Sequence, residues 1–175
     1  MSYLPMTEYE NSDALVRREY DDQIQKHGRI TNMKRTLLNH PPSFRAYMEW
    51  YTLKDELVPV ISERAVSLFS YAISSENDCL ICSTFFRKIL IDSGENPDDP
   101  KLNETERLLM DFGHAISHDP HHISQGIYTS LKVRFTDEQI TLLIAFAGIM
   151  AATNLFNTVA KVPLDELLYA YRKPE

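Results

Sequence analysis

Apolar positions along this chain recur at spacings of three and four, which predicts helices almost throughout. Ala14, Leu15, Val16, Tyr20 and Ile24 form the first stripe, capped by Ser12 or Asp13 and stopped at His27-Gly28. A short helix over residues 32–38 ends before Pro41-Pro42, and Ser43 then caps a stripe of Phe44, Tyr47, Met48 and Tyr51. Pro59 interrupts that stripe. Ser62 caps the next helix, whose apolar face carries Ala65, Val66, Leu68, Phe69, Ala72 and Ile73 and which ends near Glu76. A further helix starts at Cys79, with Asn77 or Asp78 as its cap, and closes near Ser93-Gly94. Cys79, Cys82, Phe86 and Ile89 or Leu90 share its inner face.

Residues 95–100 hold two prolines and three acids and form the clearest loop. Asn103 and Glu106 have the spacing of a capping box, opening a helix with Leu108, Leu109, Phe112, Ala115 and Ile116 that Asp119-Pro120 closes. A helix over residues 121–133 follows. Thr136 then caps the longest apolar segment, in which residues 142–152 are eleven small or apolar residues in a row. Eleven is well short of the roughly 20 a membrane span needs, so this reads as a core helix buried on most sides. A last helix covers residues 164–171. The expectation is an all-α single domain over residues 1–175, a bundle of about eight helices with its core in residues 13–160.

Composition agrees with that picture and narrows the function. The chain has 175 residues, 43% of them hydrophobic, in the range of an ordinary globular domain. A net charge of −7 without any lysine–arginine stripe argues against nucleic-acid or anionic-membrane partners. The first residues carry neither a basic segment nor an apolar one, so a cytoplasmic location is expected. There, two cysteines three apart are catalytic, redox-active or metal-binding more often than a permanent staple.

Cys79 and Cys82 are the only cysteines, one helical turn apart. They admit three readings: buried small hydrophobes, half of a zinc site, or a redox dithiol. Zinc needs about four ligands and the chain has no second cysteine pair, so the dithiol is preferred and no metal or cofactor is expected. Helix N–H groups lower a thiol pKa, whereas the Asp78 carboxylate and the apolar Leu80 and Ile81 raise it. The sequence leaves that balance open.

Four of the six histidines fall in residues 114–122. His114 and His118 share a helix face at metal-ligand spacing, although no HExxH accompanies them, and a polar helix end is the simpler reading. An acid–base role for one of them is a weak alternative. Tyr47, Trp50 and Tyr51 read as core or as a pocket wall.

The cysteine stretch resembles the alkylhydroperoxidase-D-like branch of the carboxymuconolactone decarboxylase superfamily. Ser74, Asn77, Cys79, Cys82 and Gly94 carry the resemblance, with residues 103–107, Asp119-Pro120, residues 136–140 and Asn154. Residues 28–35, with Pro41 or Pro42 after them, resemble the front of its peroxidase-related members. The likeness covers roughly residues 13–160. It implies an all-helical, homo-oligomeric fold whose dithiol reduces peroxides or disulfides. A dithiol reductant, a lipoyl or thioredoxin-like protein, would return the electrons.

The family assigns peroxide attack to the second cysteine, here Cys82, and supports it with a Glu–His proton relay. The corresponding positions here are Ser67 and Phe86. Glu63, one turn before Ser67, is the candidate substitute, acting through a water. The decarboxylase branch lacks the cysteine pair and matches poorly. The leading expectation is therefore a thiol oxidoreductase working through Cys79 and Cys82, with activity weakened by the absent relay. Its rivals are a non-catalytic oligomeric helical protein or redox sensor, and a small-molecule binder with an apolar pocket beside Phe86.

Overall fold

The computed structural model describes residues 2–173. It contains α1 (Ala14–His27), α2 (Asn32–Leu37), α3 (Pro41–Ile61), α4 (Glu63–Glu76), α5 (Leu80–Asp92), α6 (Glu104–His118), α7 (Gln125–Arg134) and α8 (Asp137–Val159). Two 3-10 turns, Tyr9–Asn11 and Glu166–Tyr171, complete the regular structure, with no strand among the described residues. The all-α expectation holds.

Helix α4 is the centre, packed against α3, α5, α6 and α8. Ala65, Val66, Leu68, Phe69, Ala72 and Ile73 are all buried, and Phe69 stacks between Phe112 of α6 and Phe146 of α8. The α4–α6 approach is close because Gly113 has no side chain. A Cβ there would meet the Phe69 ring at 3.1 Å, the Ala72 Cβ at 3.2 Å and the Phe69 carbonyl at 3.2 Å. A smaller cluster of Val16, Tyr20, Leu37, Leu38 and Phe44 ties α1 and α2 to the start of α3.

Local signals set most helix ends. Asp13 caps α1 through the Val16 N–H at 2.9 Å, and Gly28 stops it at φ +73. The expected capping box at Asn103–Glu106 is closed, and Thr136, expected as a cap, forms a second box with Gln139. The acidic loop after α5 is pinned rather than loose. Arg64 reaches Glu95 in bidentate fashion and also pairs with Glu106, while Arg87 grips both oxygens of Asp98 at 2.7 Å.

Five expectations need correction. Pro41 and Pro42 open α3 at its first two positions, where proline lacks only an N–H that would have no partner, and Ser43 bonds His40 instead of capping. Pro59 lies inside α3, not between helices. It sits in the last turn, where the Asp55 carbonyl it leaves unpaired belongs to an exposed residue. The helix expected from residue 121 starts at Gln125, capped by Ser124, and the last helix is a 3-10 turn. Finally, α8 is not buried on most sides. Leu143, Phe146, Ala147 and Met150 face inward, while Ile144, Leu155 and Val159 are exposed. By length and composition alone α8 could cross a membrane, yet its inner face is built into the bundle and carries buried Thr153, Asn154 and Asn157.

Candidate dithiol site

Three residues, Asn77, Asp78 and Cys79, turn the chain from α4 into α5. Asp78 takes the left-handed conformation at φ +50, one that aspartate tolerates better than most residues. Around it the Cys79 N–H bonds the Ser74 carbonyl at 3.0 Å and the Asp78 N–H bonds the Ser75 carbonyl at 3.1 Å. This is a Schellman ending. Cys79 thereby finishes one helix and becomes the N-cap of the next, with extended backbone at φ −88, ψ 98. The first-turn placement expected for Cys79 is off by one residue, because Asp78 is consumed as the left-handed link and cannot also cap.

Both cysteines are buried and unbridged, and the Cys82 side chain is the largest influence on the acidity of Cys79. Helix α8 supplies the surroundings. Asn157 Nδ2 donates to Cys82 Sγ at 3.2 Å. One turn earlier, Asn154 Nδ2 donates to Ser74 Oγ at 3.2 Å, and its Oδ1 accepts from Asn77 Nδ2 at 3.1 Å. Asn77 also reaches Ser117 of α6 at 3.4 Å. Ser74, Asn77 and Asn154 therefore hold the α4–α5 turn against α8. Asn157 was missed from sequence, although three polar residues within five positions of an apolar helix were a usable signal.

The two thiols are driven apart in acidity. Cys79 is lowered to about 7, first by the Cys82 thiol donating to it, then by the N–H groups of Cys82 and Ile81, with Asn157 adding and burial opposing. Cys82 is pushed well up, because it spends its proton on Cys79, is buried and faces the charge there. Asn157 and Asn154 pull the other way. Of the residues expected to oppose a thiolate, Asp78 and Leu80 are exposed, whereas Ile81 is half-buried on the wall of the adjoining cavity. At Cys79 the Cys82 thiol, helped by the helix N–H groups, outweighs burial.

Beside Cys82 lies a cavity of about 290 Å³. Trp50, Phe85, Phe86 and Met150 form much of its apolar wall, and Asn157 joins Cys82 on its surface. The Asn157 Oδ1 is buried there without a hydrogen-bond partner. Cys82 borders this space and Cys79 does not. Tyr47, Trp50 and Tyr51 are thus pocket wall.

The structure does not bring the proposed relay to the thiols. Glu63 is exposed and paired with Lys54 at 2.8 Å, while the buried Ser67 hydroxyl bonds the Glu63 carbonyl at 3.0 Å. Neither borders the cavity. Phe86 does, as a buried ring edge-on to Phe85. His114 and His118 each turn Nδ1 to one oxygen of Glu76, at 3.1 and 2.9 Å, and these bonds hold the Glu76 carboxyl low. Among the described residues no three ligating side chains converge on a metal position.

No protein-family model matches the sequence, and no curated protein does. Solved structures do. A peroxidase-related protein from Ralstonia eutropha JMP134, described as an alkylhydroperoxidase AhpD core, superposes with a TM-score of 0.73 at 18% identity, over 99% of this chain and 98% of that one. This chain has the AhpD-like fold. The resemblance read from the cysteine stretch is borne out at that level. The debrominase Bmp8 has the same fold, with a TM-score of 0.78 at 18% identity over 97% of this chain and 95% of its own. A cysteine-to-alanine variant of Bmp8, solved with 2,3,4-tribromopyrrole, gives 0.79 at 17% identity, over 97% of this chain and 94% of its own. The AhpD-like fold thus spans a protein described as peroxidase-related and another described as a debrominase.

Proposed function

We propose that this protein is a thiol oxidoreductase in which Cys82 attacks a small organic hydroperoxide held in the adjoining cavity and Cys79 resolves the product. The observation that carries this reading is the Asn157–Cys82–Cys79 chain at the cavity wall. Cys79, as the thiolate at a helix N-cap, takes the proton of Cys82, and Asn157 Nδ2 stabilises the charge that moves onto Cys82 Sγ. The Cys82 thiolate then displaces alkoxide from the nearer peroxide oxygen, giving a sulfenic acid and, with one proton, an alcohol. Asn157 Oδ1 offers an acceptor for the peroxide O–H. Cys79 attacks the sulfenic sulfur next, forming the disulfide and releasing water. In sum, two thiols and ROOH become a disulfide, ROH and H₂O. A dithiol protein of the lipoyl or thioredoxin-like class restores the pair.

The N-cap thiolate does here what the absent Glu–His relay does elsewhere, so the substitutions at Ser67 and Phe86 need not abolish turnover.

A second reading rests on the aromatic cavity wall and on the debrominase among the fold relatives. The same two electrons could replace a ring C–Br bond by C–H, releasing bromide and a proton as the disulfide forms.

Single-turnover measurement separates the cases. Reduced protein mixed with one equivalent of cumene hydroperoxide should lose two hydrogens by mass and yield one equivalent of alcohol. Cys82→Ser should abolish the reaction, and Cys79→Ser should leave a dimedone-trappable sulfenic acid. Bromide release from a bromopyrrole with no peroxide consumption selects the second reading. Two thiols that survive both reagents leave the non-catalytic protein or redox sensor.

A further inference from the structure

The cavity at Cys82 has a polar side that the dithiol chemistry does not use. Lys34, on α2, is only 6% exposed, and its ammonium donates to the Tyr51 hydroxyl at 2.7 Å while lying 4.9 Å from the Tyr51 ring centre. No carboxylate pairs with it within salt-bridge distance among the described residues. Asp165 on the same wall favours the charge without closing an ion pair, and a buried ammonium with no paired carboxylate is costly. Arg29, also on the wall, adds a second cation against the single carboxylate of Asp165, whose oxygen accepts the Asn32 N–H at 2.9 Å. His27, also on the wall, lies flat on Tyr51 with ring centres 3.6 Å apart.

We propose that Lys34 and Tyr51 form an anion-binding subsite, and that the cavity takes a small aromatic carboxylate whose ring packs on Trp50, Phe85 and Phe86. The ammonium has two donors left after Tyr51. The Tyr51 oxygen already accepts from Lys34, which leaves its own O–H to donate. Those donors suit the two oxygens of a carboxylate. Burial, then Arg29, lowers Lys34 to about 8, so it is still charged at neutral pH and would be stabilised by an arriving anion. A cavity of about 290 Å³ is at the small end for ligand sites, which fits a single ring better than a long chain. The inference deepens the oxidoreductase reading, since it names the substrate class as an aromatic acid bearing the reducible group, but the binding itself needs no thiol.

Trp50 is the only tryptophan and donates to Met150 Sδ at 2.8 Å on the cavity wall, so it reports occupancy. Benzoate and its neutral analogue benzyl alcohol are titrated by Trp50 emission and by calorimetry. Benzoate should bind the wild type the more tightly, and Lys34→Met should weaken benzoate about tenfold or more while leaving benzyl alcohol nearly unchanged. Tyr51→Phe should weaken benzoate less, which keeps the test open should Lys34→Met fold poorly. Equal binding of acid and alcohol, or benzoate binding indifferent to both variants, overturns the subsite even where peroxide is consumed. Benzoate binding without any thiol reaction upholds the subsite and discards the oxidoreductase reading.

Discussion

Asn157 Nδ2 sits 3.2 Å from Cys82 Sγ, across the α5–α8 contact, and the partner oxygen of that amide is buried unpaired on the cavity wall. One side chain thus offers a donor to the sulfur and an acceptor to whatever approaches it. A hydrogen bond to a charged group contributes about 1.5–3 kcal/mol, so losing it should slow thiolate attack roughly 10- to 100-fold. Asn157→Leu is the expected slow variant, measured as single-turnover peroxide consumption with circular dichroism as a check on folding. Asn157→Asp should be slower still, since a carboxylate would repel the developing thiolate. Unchanged rates in both folded variants would remove Asn157 from the mechanism.

The acidity split at the dithiol sets the pH dependence. Cys79 is lowered from its ordinary value of 9.0 to about 7, so its thiolate is present above pH 7 and is lost as pH falls through that value. Cys82 moves the opposite way and stays protonated across the same window. Thiolate absorbance of the reduced protein should therefore show one ionisation near pH 7, with the peroxide rate rising in step. Cys82→Ala removes the largest cause of the shift and should move the midpoint upward. A wild-type midpoint near 9 would contradict the lowering of Cys79 by Cys82 and the helix N–H groups.

How legible this was depended on the range of each signal. The capping box at Asn103, the cap at Thr136 and the Gly28 stop were readable because their partners lie within four residues. The fold itself was readable from the order of Ser74, Asn77, Cys79, Cys82 and Asn154, and those residues meet at the α4–α5–α8 junction. The N-cap role of Cys79 was misread because Asp78 is both a good cap and a good left-handed residue, and only the turn's hydrogen bonds decide between them. Glu63 was misplaced because spacing along α4 gives a direction but not a rival, and Lys54 is that rival. Lys34 was invisible, since nothing local marks a lysine that tertiary packing buries.

The outer face of α8 carries a proposal about assembly. Ile144, Leu155 and Val159 are 45%, 65% and 64% exposed, and a Cβ on Gly148 of the same helix would meet open space. An apolar helix side with a small residue on it suits close packing against a second copy. Light scattering should give at least twice the 20.2 kDa chain mass, and Leu155→Glu should shift the population toward monomer. A wild-type monomer at micromolar concentration would refute self-association through this face.

Restoring the absent relay is the sharpest contrast between an enzyme that has replaced it and one that has merely lost it. Phe86 lies one turn after Cys82 on the same buried face, so a histidine there would stand at the cavity wall. A positioned base contributes about 10²–10⁴-fold when thiolate supply limits the rate. Here Cys79 already supplies a thiolate near pH 7, which leaves less to gain. Phe86→His with Ser67→Glu should therefore raise the neutral peroxide rate by about tenfold or less, and chiefly below pH 7, where Cys79 is protonated. The stability cost is separate. Phe86 packs near Trp50 with ring centres 6.5 Å apart and edge-on to Phe85, so replacing it should cost about 2–4 kcal/mol, seen as a lower denaturation midpoint. A gain of 10³ at neutral pH would mean that Cys79 is no working substitute for the relay. A flat pH profile in both proteins would mean that thiolate supply never limited the reaction.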